Sequence, residues 1–235
     1  MRNVAVGAAV AVALGGGAVA AVASAGDGSE TRAQNASQRY EVTVRNLTAG
    51  SSQPLSPPLV VVHGRQADVW SRGQLASHVV ADIAEDANTA PAVMALRGAR
   101  GVRSATTGID AGASAPAPIP PGASQTYTVR TRGPADRLSL VSMLVNTNDA
   151  FTGLDSYRLR PGTRVLRKRA YDAGSEVNNQ RRDSIPGPCC NSPNVRDAEG
   201  RVIRSHPGIR NGAGQLTRAR FGWSGPVAEI TVRQL

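Results

Sequence analysis

The chain has 235 residues, 27 basic against 17 acidic, for a net charge of +10. That length holds one substantial domain or two small ones. Only 4 Tyr, 2 Trp and 2 Phe are available for base stacking, which argues against nucleic acid as the partner of the positive charge.

Residues 1–25 read as an export signal. Arg2 supplies the positive start, residues 4–22 are nearly all Val, Ala, Leu and Gly, and Ala23-Ser24-Ala25 is a small-x-small cleavage pattern. An uncleaved anchor is the alternative, since a membrane span needs about 20 apolar residues. No later stretch is apolar enough to span, so no transmembrane segment is expected once the signal is removed. The expectation is a secreted or periplasmic/cell-envelope protein whose charge is +9 without Arg2. Residues 26–37 are polar and aperiodic, a flexible lead-in. Residues 38–235 are expected to form one domain.

Residues 39–47 alternate, with Tyr40, Val42 and Val44 on one side, and predict a half-buried strand. Pro54, Pro57 and Pro58 keep the next segment extended, and Leu59–His63 is a short buried strand. The period changes over 73–87, where Leu75, Val79, Val80 and Ile83 share a helical face. A second short helix is expected at 91–98, opened by Pro91. Residues 100–124 are rich in Gly, Ala, Ser and Pro and predict a long loop.

Strands are then expected at 125–132, 138–146, 157–160 and 164–170, loops over 178–201, and a last strand at 226–233 whose loss would harm the fold. Seven or eight strands, one or two helices and no βαβ rhythm predict a mainly β chain. The architecture expected is an antiparallel β-sandwich with one or two short helices between early strands.

Three features carry possible chemistry. Asp149 ends an Asn-Thr-Asn-Asp loop after an apolar strand, and Asp172-Ala-Gly-Ser-Glu176 sets two acids four apart across a glycine turn. If the flanking strands lie side by side, the three carboxylates converge at one sheet edge, a site for a hard cation such as calcium. Acidic turns are more often solvated turns. The second feature is basic: Arg158, Arg160, Arg164, Arg167, Lys168 and Arg169 crowd one strand-like segment. It reads as a solvated face or as a patch for anionic polysaccharide or lipid head groups.

The third is the adjacent pair Cys189 and Cys190, which cannot staple a fold. A vicinal ring, intermolecular pairing and two thiols remain open. A hydrolase has little support: His63, His78 and His206 are far apart, and no nucleophile elbow or zinc-protease motif occurs.

Several segments taken in order resemble the spondin N-terminal domain family in its stand-alone bacterial form. They are YEVTVRNLTAGSSQPLSPPLVVVH, SMLVNTNDAFTGLDS, AYDAGSEVNN, IPGP, HPGI and PVAEITV. The resemblance covers roughly 38–235. It implies a C2-like β-sandwich with calcium at one sheet edge and a role in binding or cell adhesion rather than catalysis. It also implies Asp149, Asp172 and Glu176 as the calcium ligands. Glu176 stands where animal members carry Asp, and their framework cysteines and thrombospondin-type repeats are absent.

Overall fold

The computed structural model describes residues 37–50, 52–190 and 195–235. The signal and nearly all of the lead-in therefore lie outside the described residues.

Two antiparallel sheets face each other. The four-stranded sheet has the order β4 (Ser124–Thr131), β1 (Gln38–Asn46), β10 (Ala228–Gln234), β7 (Thr163–Lys168). The six-stranded sheet runs β3 (Val102–Thr107), β2 (Leu59–His63), β5 (Arg137–Met143), β6 (Ala150–Arg158), β8 (Tyr171–Asp172), β9 (Arg204–Ser205). The chain is mainly β, a sandwich with few short helices, as the alternation predicts.

The alternating strands supply the interior between the sheets. Val42 pairs with both Val232 and Tyr127, so the inward faces of β1, β10 and β4 line up. They pack with Val60, Val62, Leu138, Leu140 and Leu154 of the opposite sheet. β10 sits between β1 and β7, so the last strand is internal to its sheet.

The continuous apolar runs have a different cause. The six-stranded sheet is buried on both faces in its middle. Leu59, Val61, Val141 and Phe151 point away from the first core and meet α1 (His78–Asp86) and α2 (Ala90–Leu96). Val80, Ile83 and Ala84 of α1 are wholly buried there. Burying a valine or isoleucine side chain such as Val80 or Ile83 contributes about 1.5–3 kcal/mol. A strand with two covered faces has no polar side to show, so LVVVH does not alternate.

Three sequence expectations change. The first helix begins at His78 rather than 73, because the preceding segment pairs with the chain near Ile203 instead. The 100–124 loop contains β3, an edge strand with an exposed face and so a weak apolar signal. The strand expected at 157–160 is instead the end of β6, which starts at Ala150, directly after Asp149.

Cys189 and Cys190 form a vicinal disulfide beside Ile185, Ile209, Leu216 and Phe221, the last in the short α3 (Arg218–Phe221). Among the described residues no helix is long and apolar enough to cross a membrane.

Candidate functional site

The acidic residues meet, though not by the route their spacing suggested. The predicted partner strands, β5 and β7, lie in different sheets. β8 pairs with β6 instead, in the register Ala150 opposite Asp172, and the Ala173 amide donates to the Asp149 carbonyl at 3.2 Å. Asp149 and Asp172 thus flank the start of one strand. Glu176 follows through a turn that needs Gly174. Its φ is +71°, and a β-carbon there would stand 2.3 Å from the Arg201 carbonyl oxygen. All three carboxylates are buried.

The loop before β6 is an anchor point for other segments. Asn146 takes the Cys189 amide and donates to the Ser52 carbonyl. Thr147 donates to the Leu144 carbonyl and accepts from the Ala150 amide. Asn148 accepts from the Gln180 amide and donates to Asn179. Asp149 Oδ2 accepts the amides of Ser175 at 2.9 Å and Glu176 at 3.0 Å, with the Ser175 hydroxyl at 3.3 Å. Its Oδ1 is buried with no hydrogen-bond partner among the described residues. Burial, reinforced by the charge of Asp172, pushes the Asp149 carboxyl up to about 7 against the pull of the two amides.

Asp172 is fully engaged. Oδ1 accepts the Gly174 amide at 2.8 Å, Oδ2 accepts Asn178 Nδ2 at 2.7 Å, and Arg204 Nη2 forms an ion pair with Oδ2 at 2.9 Å. Burial still raises its pKa, since these three favourable contacts offset only part of the desolvation. Asn178 Oδ1 in turn accepts from His206 Nε2 at 2.7 Å, because His206 Nδ1 already accepts the Gly208 amide. The acid is thereby tied to the His206-Pro207-Gly208 turn.

Glu176 Oε1 receives Arg196 Nη1 at 2.9 Å, while Oε2 is buried without a partner among the described residues. Arg196 also holds Glu85 at 3.0 Å and Asp86, both at the end of α1, so one guanidinium joins the helix to the acidic turn. Burial pushes the Glu176 carboxyl up to about 7 despite that arginine.

In chemical type the donors suit a hard cation: they are oxygens, and two of them are buried and unpaired. Yet among the described residues no group of three or more His, Cys, Asp and Glu side chains is arranged to hold a metal ion. Arg196 and Arg204 occupy the positive side of the cluster. Sequence reading missed both: Arg196 lies in the 178–201 segment read as loop, Arg204 just beyond it, and nothing in their spacing singles them out. Asp155 stays apart on β6, its carboxylate accepting from the Ser71 hydroxyl.

The basic run is not one face. Arg164, Leu166 and Lys168 of β7 pair with Val232, Ile230 and Ala228 and share the core-facing side, whereas Val165 and Arg167 pair with Thr231 and Glu229 on the other. Arg167 is bonded to Glu229 at 3.1 Å and Arg158 to Asp136 at 3.0 Å. Of the histidines, His63 is buried with Nε2 2.8 Å from Ser139 Oγ, itself buried and accepting the Ser156 amide. His78 is exposed at the start of α1.

Set against known proteins, the chain matches no family model and no curated protein.

Proposed function

We propose that this chain is an exported, calcium-binding β-sandwich of spondin type that works as a binding or adhesion module at the cell surface or in the envelope. The observation that carries the reading is a pair of buried carboxylate oxygens, Asp149 Oδ1 and Glu176 Oε2, unpartnered among the described residues, beside a third buried acid. Leaving such an oxygen without a partner costs about 1–3 kcal/mol, and more when it is charged. A cation would remove that cost. Calcium suits the cluster better than zinc, since no histidine or cysteine takes part and calcium accepts carboxylate, carbonyl and water oxygens.

Asp149 and Glu176 would supply the unpaired oxygens. Asp172 would join them once Arg204 lets go, so calcium binding includes the displacement of an arginine. The bound ion would neutralise the acids and hold together the turns at 146–149 and 172–176. The order of the quoted motifs supports the spondin comparison.

Calorimetry of the full chain with calcium, paired with thermal melts, tests the proposal. Calcium is expected to bind, to raise the melting temperature of the wild type, and to do neither in Asp149→Asn. Melting that calcium leaves unchanged in both proteins removes the site.

A further inference from the structure

Two cavities open on either side of the turn at 205–208, and arginines line both. One, of about 350 Å³, holds Arg201, Arg204 and Arg210. The other, of about 470 Å³, holds Arg72, Arg169 and Trp223. Ser205, Pro207 and Gly208 belong to both linings, so the cavities adjoin as halves of one surface.

The charges in this surface are unevenly neutralised. Arg201 and Arg204 share Glu199, and Arg204 also holds Asp172. Arg72, Arg169 and Arg210 are exposed and have no carboxylate in ion-pair range among the described residues. Among the described residues Glu199 is the one acid lining either cavity. This differs from β7, where Arg167 already has Glu229.

The turn between the cavities is braced. The His206 ring lies 5.2 Å from that of Trp223. Burial, together with Arg204 and Arg210, pushes the imidazole down to about 3, so it stays neutral and serves as a prop.

We propose that this surface binds an acidic polysaccharide of the uronate class, with Arg169 and Arg210 as the leading contacts and Trp223 as a stacking platform. Guanidinium groups pair carboxylates in a planar, two-bond geometry that lysine does not match. An indole offers a flat apolar face to a sugar ring beside a polar edge. Two adjoining basic cavities suit a ligand whose charge repeats along a chain, where a single small anion would use one. An anionic membrane fits less well. The lining is concave, and none of the exposed large apolar side chains among the described residues belongs to it.

This inference does not rest on the cation site, and the test keeps the two apart. The full chain is passed over immobilised polygalacturonate and over neutral dextran, with chelator present throughout. Retention on polygalacturonate alone, weakening as salt rises, is expected. The double variant Arg169→Glu/Arg210→Glu should lose about tenfold or more in affinity, the scale of a lost charge-assisted pair, with its melting temperature unchanged. Arg160→Glu/Arg164→Glu, on and beside β7, should bind within about twofold of wild type, as an exposed charge outside the contact does. Equal binding to dextran overturns the proposal. So does an Arg160/Arg164 variant that weakens binding as much as the cavity variant, or phosphatidylglycerol vesicles that bind where polygalacturonate does not.

Discussion

The acidic cluster at Asp149, Asp172 and Glu176 and the basic run of β7 are both charge clusters in the sequence, and the fold treats them in opposite ways. The acids are fully enclosed, and each has identified donors on at least one oxygen. The bases sit on a sheet edge, divide between its two sides and are mostly solvated. A charge in water is screened and interchangeable, whereas a charge out of water must be matched atom by atom. Charge density along the chain therefore says little until burial is known.

That contrast can be broken most sharply at Asp149. Asp149→Ala removes the acceptor of two backbone amides, and a loss on the order of 3 kcal/mol is expected, at about 1–3 kcal/mol per buried donor left unpaired. Asp149→Asn keeps an acceptor oxygen and should lose clearly less. Urea denaturation of the two variants measures the difference. Equal losses would mean that the charge, rather than the hydrogen bonds, organises the loop.

Arg196→Met comes next. It leaves the Glu176 carboxylate enclosed without its guanidinium. Breaking a buried pair costs about 3–5 kcal/mol, less where one partner is part exposed as Arg196 is, so about 1–3 kcal/mol is expected. Adding Glu176→Gln should restore part of it. On the cation reading, calcium should stabilise Arg196→Met more than wild type, since the competing arginine is gone.

A pH series sharpens the same point. Burial raises the Asp149 and Glu176 carboxyls to about 7 in the fold. Between the ordinary acid range, about 4, and that value, the folded chain keeps protons that the unfolded chain releases. Stability without calcium should therefore fall as pH rises from about 4 to about 7 and then level. Calcium competes with those protons, so its stabilising effect should grow across the same window. Thermal melts at fixed ionic strength, with and without calcium, read both trends.

The smallest effect belongs to β7. Arg164→Ala changes an exposed side chain whose polar contact is to its neighbour's carbonyl. A shift within about 0.5 kcal/mol is expected. A larger loss there would erase the distinction between the two regions.

Local order determined much of this protein. Tyr40, Val42 and Val44 alternate, and so do Ala228, Ile230 and Val232, because each strand has one face on the core and one in water. The face of α1 is likewise written in the spacing of Val80 and Ile83. The acids at 149, 172 and 176 were legible as residues that share a place, since each stands at the end or turn of a strand.

Tertiary structure decided the rest. β6 was hidden because its start is covered on both faces and shows no period, and β3 because an exposed edge needs few apolar residues. Nothing local says that Asp149 meets Asp172 across β6 and β8 rather than through β7. Nor does anything local say that Arg196 arrives from a distant loop and Arg204 from strand β9 to neutralise the acids, or that Arg72, Arg169 and Arg210 are left without such partners among the described residues. Pairing of charges depends on which segments the closed sandwich brings together, and that follows from sheet order and burial, which no window of neighbouring residues contains.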